Sequence, residues 1–519
     1  MQATAHHHRP LRIAPRELPQ DVGALHGLVR ELESALHFEQ LARERAESKL
    51  RDLLRRLFGP SSEKLDPNQY RLALEQVEAD QALAAEGPPP VPAPPAAVTT
   101  RKRPGGGRRP APDHLPIERI EIDLPQEQKA GLIRIREEIT EELDYEPSRF
   151  IRRHFVRPVY AHPGKAHAPV VAPLPVRVLP QAAVGPGLLA HVLVSKYLDH
   201  LPLHRQEKIA ARVGVELPRQ KLCRWVEGTA HLLRTVHEQL ATRILESGYV
   251  QVDETPIRVL DPDRGGHAAQ AYLWPYLAPT AKAIVFDFNL SRGRDSPEKF
   301  FPDGWGGVLQ SDGYELYASF ARRRPSIVHA GCMAHLRRHL VEALDGGGEH
   351  VAVLLADIGA LYGIEKQARE RALDADARAA LREAHAQPIL ARLERRFEQV
   401  RCAVLPQSAL GKAAAYALNH WPPLCRYAQP GFGHVLIDNN SIERSIRPTK
   451  LGTKNWIFIG HPDAGWRSAV IYSVIGTCQL LGVNPQRYLA WVLPKLAAAT
   501  TRTAINLLPH DFAALAVPR

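Results

Sequence analysis

Cysteine is scarce in this chain: five in 519 residues, at Cys223, Cys332, Cys402, Cys425 and Cys478, with no CxxC pair. Cysteines so few and scattered exclude a disulfide framework and fit a reducing cytosol. Long apolar runs are missing as well. The longest, near Ala469 to Val483, is broken by Ser473, Thr477 and Gln479, so it reads as a buried helix and not as a membrane span. The opening residues, MQATAHHHRPLR, hold no apolar core of the kind a signal peptide needs. The expected setting is the cytoplasm, away from any membrane. An apolar share of 45% and a charged share of 24% are those of an ordinary soluble globular protein. Positive charge is in excess, +11 with a pI near 9.4. That makes a polyanion a plausible partner, although a solvated basic surface accounts for the same number.

The organisation changes several times along the chain. Over residues 20–58, Leu25, Leu32, Ala46 and Leu53 share one heptad position and Val29, Leu36, Leu50 and Leu57 the other, with Glu39 and Arg43 interrupting. This is a coiled-coil seam, and self-association is favoured over packing within the monomer. Gly59-Pro60 ends it. Residues 59–114 form a linker containing GPPPVPAPPAAV, a stiff extended spacer. The linker also carries RKRPGGGRRP, whose Arg101, Lys102, Arg103, Arg108 and Arg109 suit phosphates or a narrow minor groove, or simply solvent. Residues 115–180 alternate weakly, as a small strand-rich module. Residues 185–245 turn helical. There His204–Arg212, the turn Val213-Gly214-Val215, and a second helix begun by Pro218 and running through Trp225 follow helix-turn-helix grammar. Arg219, Gln220, Lys221 and Arg224 on that second helix are candidate DNA contacts. An ordinary helical bundle produces the same pattern.

From residue 246 the period becomes that of strands. GYVQVDETPIRVL, AYLWPYL and AIVFDFNL read as three strands in hairpin succession. GGVLQSDGYELY is a further strand, and SIVHAGCMAHLRRHLVEAL is a strand running into a helix. A mixed sheet with helices on its faces is expected. Asp253 and Asp312 stand at or just past strand ends, where side chains from neighbouring strands converge. Each also suits a plain turn. A third acid comes from LIDNNSIERSIRPTK. Asp438 is placed to cap a short helix that begins near Asn439 and stops at Pro448. Glu443 lies in its second turn, with Arg447 one turn on and able to pair with it. Phosphodiester cleavage uses two metal ions about 3.5–4 Å apart to activate the attacking oxygen and stabilise the leaving one. Mg²⁺ prefers carboxylate oxygens. Asp253, Asp312 and Glu443 could hold such a pair, with Arg444, Arg447 and Lys450 facing the DNA backbone and Asn439 and Asn440 hydrogen bonding.

Several of these motifs together resemble the insertion sequence 66 family of bacterial transposases, in particular its large subunit. They are LFGPSSEKL, GRRPAPDHLP, VQVDETP, QSDGYELY, GCMAHLRRHL, IDNNSIERSIRP, GTKNWIFIG and YSVIGTCQLLGVNPQRYLAWVL, in family order from about residue 55 to 495. The resemblance implies a ribonuclease H-like catalytic core of the DDE type. Its first part would span 246–339, a helical insertion 340–430, the Glu-bearing helix and the rest of the core 431–495, and a tail 496–519. By motif, Asp253, Asp312 and Glu443 are the acids, with Asp438 a runner-up for the third, and two Mg²⁺ or Mn²⁺ ions are their cofactors. Cys332 and His335 form a CxxH that, with His329 and His339, offers zinc spacing. Packing against the Glu helix is the favoured role for the pair. Many relatives carry a cysteine zinc module near residues 115–180. Here His162 and His167 stand where cysteines are expected, so the module is expected to keep its strands without its metal. The implied partners are double-stranded DNA (transposon ends and target), a second copy of the chain or a higher oligomer, and accessory proteins of the same element. The implied reaction is strand cleavage followed by strand transfer. A nuclease without strand transfer, or an inactive DNA-binding protein or repressor from a decayed element, are the alternatives.

Overall fold

The computed structural model describes residues 150, 159–160, 170–171, 176–180, 182, 184–261, 267–499 and 506–516. The heptad segment, the proline-rich linker, the basic arm with Arg101, Lys102, Arg103, Arg108 and Arg109, and His162 and His167 lie outside the described residues. Of the strand-rich module two short strands are described, β1 (Val159–Tyr160) and β2 (Val170–Val171), paired antiparallel. They belong to one compact unit, and the residues from Val176 onward belong to another.

From Val176 the described residues open with three helices, α1 (Pro186–Tyr197), α2 (Leu203–Arg212) and α3 (Arg219–Glu246). The sequence predicts that α3 runs through Trp225, but it continues for 28 residues. The reason is periodic: Leu222, Trp225, Val226, Ala230, Leu233, Val236, Leu240 and Ile244 keep returning to one buried face. The far half of that face lies on the sheet, where His237 Nε2 meets the Phe286 carbonyl at 3.0 Å.

Six strands make the sheet: β3 (Tyr249–Val252), β4 (Thr255–Leu260), β5 (Ala268–Ala278), β6 (Ala283–Asn289), β7 (Gly307–Gln310) and β8 (Ile327–Ala330). β5 runs antiparallel to β3, β4 and β6, while β3 pairs parallel with β7 and β7 parallel with β8. A mixed sheet results. Asp253 and Glu254 interrupt what is otherwise one long strand through β3 and β4. Short helices α4 (Asp295–Phe300), α5 (Glu315–Arg322) and α6 (Met333–Glu342) join and follow the later strands.

The interrupted apolar run forms α12 (Gly465–Leu480), which is buried along most of its length. Its polar residues have a structural use. Ser473 Oγ accepts the Phe286 N–H at 2.8 Å, and Thr477 Oγ1 accepts from Ile284 N at 3.2 Å and donates to its carbonyl at 3.1 Å. Two hydroxyls thus satisfy the outer edge of β6, which would otherwise present unpaired backbone groups. Among the described residues no helix is long and apolar enough to cross a membrane.

Four helices, α7 (Leu344–Glu370), α8 (Ala375–Ala403), α9 (Ala409–Asn419) and α10 (Trp421–Cys425), separate α6 from the loop before α11 (Asn440–Trp456). They pack a second core around Leu354, Ile358, Leu361, Leu390, Leu393 and Phe397. Within it Arg382 is fully buried. Its guanidinium pairs with both carboxylate oxygens of Glu365 at 2.7 and 2.8 Å, and donates to the carbonyls of Tyr427, Phe432, Gly433 and Val435 at 2.8–3.3 Å. One side chain therefore fixes the loop that leads to Glu443. Helices α13 (Pro485–Ala498) and α14 (Pro509–Ala516) complete the unit.

Removing one partner of a buried ion pair strands the other charge and costs about 3–5 kcal/mol. Arg382→Leu should lower unfolding stability by that amount in a urea titration, whereas Arg378→Leu, on the same helix, should cost distinctly less. Equal losses would show that the buried pair is not what holds this region.

Candidate active site

β3 and β7 lie in parallel register, with Tyr249 opposite Val308, Val250 opposite Leu309 and Gln251 opposite Gln310. Each glutamine is followed two residues later by an aspartate, Asp253 or Asp312. The repeated Gln-x-Asp spacing therefore carries both acids to the same level beyond the strand ends. Both turns are locally fixed. Asp253 Oδ1 accepts the Glu254 N–H at 2.8 Å, and Asp312 Oδ1 accepts the Tyr314 N–H at 3.0 Å. Gly313 is required by its neighbour, since a Cβ there would meet the Tyr416 ring at 2.4 Å.

A buried polar network ties this sheet end to the approach of α11. Tyr249 Oη donates to Gln310 Oε1 at 2.5 Å, and Gln251 Nε2 donates to the same oxygen at 2.9 Å and to the Asp438 carbonyl at 3.0 Å. Gln310 Nε2 donates to the carbonyls of Gly331 and Leu436 at 2.9 and 2.8 Å, and the Leu436 N–H donates to Tyr249 Oη at 3.1 Å.

Helix α11 differs from the sequence expectation in three respects. Pro448 lies inside it, and the helix runs on to Trp456 because Ile442, Ile446, Thr449 and Gly452 maintain a buried face. Glu443 stands in the first turn and not the second. Asn439 is the N-cap residue, without a side-chain cap bond. Asp438 instead accepts the Asn440 N–H at 3.1 Å and the Asn440 side-chain amide at 2.9 Å. Tyr362 Oη also donates to Asp438 at 2.8 Å, and burial holds this carboxyl above its ordinary pKa. The Asp438 oxygens are thus occupied with local structure. Asn439 is buried, with neither amide atom hydrogen bonded.

The partner of Glu443 is also not the expected one. Arg338 of α6 donates to both its oxygens, at 3.4 and 3.3 Å, and His335 Nε2 lies 3.7 Å away. Arg447 is exposed, as are Arg444 and Lys450. Cys332 Sγ accepts the Asn439 N–H at 3.4 Å, and burial pushes its thiol up to about 12, so it supports the start of α11 as a neutral group. His339 packs its ring against Tyr416, 4.6 Å between centroids. Arg219, Gln220, Lys221 and Arg224 are exposed on the first turns of α3.

Asp253 reports the electrostatics. Its pKa rises to about 8, first through burial and then through the charges of Glu254, Asp312 and Glu443. Carboxylates from three distant segments therefore act on one another. Among the described residues no three His, Cys, Asp or Glu side chains are gathered tightly enough to hold a metal ion as they stand. Glu443 is turned to Arg338. The donor chemistry nonetheless fits a hard divalent cation, since the groups are carboxylate oxygens and a bound cation would offset the burial and like charges that raise the Asp253 pKa. Glu254 escapes sequence reasoning, although the Asp-Glu pair announces it. Its carboxylate is held by Arg292 at 2.5 and 2.9 Å and by Tyr317 Oη at 2.5 Å. Gln251 and Gln310 are missed as site residues too; Arg338, which the sequence offers with Arg337 as a DNA contact, pairs instead with Glu443. The repeated Gln-x-Asp was the available signal for the first two.

The family model described as Transposase IS66 family matches residues 181–467. The chain is a member of the IS66 transposase family. A model for the IS66 C-terminal element matches 473–510, and one described as Transposase C of IS166 homeodomain matches 45–120. Two relatives from Sinorhizobium fredii (strain NBRC 101917 / NGR234) are both called uncharacterized proteins. One, y4jD, is 30% identical over 96% of this chain and 98% of its own length. The other, y4qI, is 32% identical over 76% of this chain and 75% of its own. IS66 membership indicates a transposase, with DNA as its implied partner.

A carboxyl whose pKa is raised on folding costs the folded state stability as pH climbs past its ordinary value of 3.8, and the cost is complete above about 8. In chelator, Asp253→Asn should therefore raise the melting temperature at pH 8 by several degrees, with the gain fading toward pH 4. A gain of equal size at both pH values would remove the carboxyl's charge as its cause.

Proposed function

We propose that this IS66 transposase cuts DNA at the ends of its element and joins the freed ends to target DNA, with Asp253, Asp312 and Glu443 as its acids. The observation that carries the reading is the β3–β7 register, which brings Asp253 and Asp312 to one level, together with the reach of the Asp312 and Glu443 charges to Asp253, where they add to burial and to Glu254 in raising its pKa to about 8. The strand arrangement supports it. With β3 and β4 counted as one interrupted strand, three antiparallel strands followed by two parallel ones, with the first acid just past β3 and the second just past its parallel neighbour β7, agree with a ribonuclease H-like core.

Asp253, Asp312 and Glu443 would hold Mg²⁺ or Mn²⁺, and such ions, when bound, supply activation of the attacking oxygen and charge stabilisation of the leaving one. The chain itself does the rest. Water attacks the phosphodiester at a transposon end and frees a 3′ hydroxyl, which then attacks target DNA in line. Arg338 holds Glu443 until a backbone phosphate competes for its guanidinium and releases the carboxylate. Lys450 stands close enough to Asp253 for their charges to act on each other and, with exposed Arg444 and Arg447, faces the backbone. The exposed start of α3, with Arg219, Gln220, Lys221 and Arg224, reads the element's ends. Residues 20–58 pair two copies, each holding one end.

The test is nicking and strand transfer on duplexes carrying the DNA that flanks the gene, with Mg²⁺ or Mn²⁺. Asp253→Asn, Asp312→Asn and Glu443→Gln should each lower cleavage by about 10³-fold or more, the scale of losing transition-state charge stabilisation, with DNA binding retained. Retained cleavage in a folded variant removes that residue from the acid set. Binding without nicking in the unaltered protein leaves a DNA-binding protein only, and nicking without capture of the 3′ end leaves a nuclease.

A further inference from the structure

The segment GTKNWIFIG ends α11 in a strained turn. Ile457 has φ +64° and ψ −49°. The Phe458 N–H bonds the Trp456 carbonyl at 2.7 Å, closing a three-residue γ-turn around a β-branched residue. Such turns are rare and costly, and they persist only where the surroundings enforce them. Both flanks do so here. On the helix side the Ile457 N–H donates to the Thr453 carbonyl at 2.8 Å. On the sheet side Ile459 and β4 exchange two backbone bonds, to the Arg258 carbonyl and from the Leu260 N–H, each 2.8 Å. The result is two apolar side chains pushed into solvent, Ile457 at 57% exposure and Phe458 at 38%.

The tip divides two cavities. On one side an open groove of about 250 Å³ is lined by Ile457 and three cationic side chains, Arg258, Lys450 and Lys454, a surface that fits a phosphate backbone. On the other a pocket of about 230 Å³ is walled by Trp456, Phe458, His461, Lys196, Tyr197 and Arg467. Trp456 Nε1 and Arg467 Nε are buried and without a hydrogen-bond partner, and they do not open onto this pocket. The indole lies against α11 because position 452 is glycine; a Cβ there would meet Trp456 Nε1 at 2.8 Å. Aromatic side chains and cations together suit a flat, polar-edged ring. The volume admits one base and not a duplex.

We propose that the Ile457–Phe458 tip is a wedge that opens one base step of bound DNA at the opposite end of α11 from Glu443, and that the neighbouring pocket receives the extruded base. Apolar side chains inserted at a base step unstack it at a cost that is least where pairing is already broken. The proposal rests on the DNA-cleavage reading for its ligand, but its test needs no cleavage.

The full chain carrying Asp253→Asn is titrated with duplexes from the DNA flanking the gene, each bearing one mismatch or one abasic site at successive positions. At one step a mismatch should tighten binding by about tenfold, because the unpairing cost is already met. An abasic site there should tighten it less, because it leaves the pocket empty. Ile457→Gly with Phe458→Ala should erase both effects. Ile457→Gly alone should raise thermal stability, since glycine adopts this φ freely, which separates lost function from misfolding. A flat scan, an unchanged scan in the double variant, or an abasic site that matches the mismatch overturns the proposal. If the unaltered protein fails to nick the paired duplex while the mismatch preference persists, the catalytic reading falls and the wedge stands.

Discussion

The site depends on one buried amide pairing, Gln251 with Gln310 across two parallel strands. Buried polar groups without partners are expensive, so the two side chains, with Tyr249 Oη, specify a single register for β3 and β7. A slip of one residue would break every bond in this set and turn each strand's side chains to the opposite face. The same amides reach the backbone of Leu436 and Asp438, nearly two hundred residues after β3 in the chain. The network that aligns the two aspartates thus also fixes where the helix with the glutamate begins.

The intervening helices serve the same end. A helical stretch between α6 and α11 could have been a tethered spacer, but Arg382 is buried in its core and spends its donors on four carbonyls between Tyr427 and Val435 as well as on Glu365. Those carbonyls are bent away from any regular ladder and need donors. The loop's shape, and hence the entry of α11, follows from packing inside the inserted helices.

Much of this was legible in the sequence because it is local. β-rich runs bounded by turn residues give the strands and place Asp253 and Asp312 at or just past strand ends, although the repeated Gln-x-Asp that matches those ends went unread. Non-local outcomes were not legible. Pro448 reads as a stop, yet tertiary burial of Ile446, Thr449 and Gly452 outweighs the roughly 3 kcal/mol a helical proline costs. Glu443 has a cation one turn along its own helix, which is what spacing can reveal, but it pairs with Arg338 from a helix about a hundred residues earlier. Arg382 lies among Ala, Leu, Glu and Arg, where composition suggests a solvated charge. Only the packed loop shows why it is buried.

Two unfavourable features sit on one rigid element. At its N-terminus α11 carries Glu443, whose charge adds to burial in raising the Asp253 pKa, and at its C-terminus it ends in the strained turn at Ile457. On the proposed reading binding would relieve both, a cation offsetting the like charges around Asp253 and a separated base step engaging the turn. The positive end of the helix dipole faces the acid end, so an arriving phosphate and the released Glu443 carboxylate both meet a field that favours anions. At about 1.5 Å per residue, Glu443 and Ile457 are about 20 Å apart along the axis, a length of about six base steps at 3.4 Å per step. A helix of that length couples the two ends without moving parts. DNA seated against the cationic groove of Arg258, Lys450 and Lys454 would present its cleavage point and its opened step at a separation set by α11 alone.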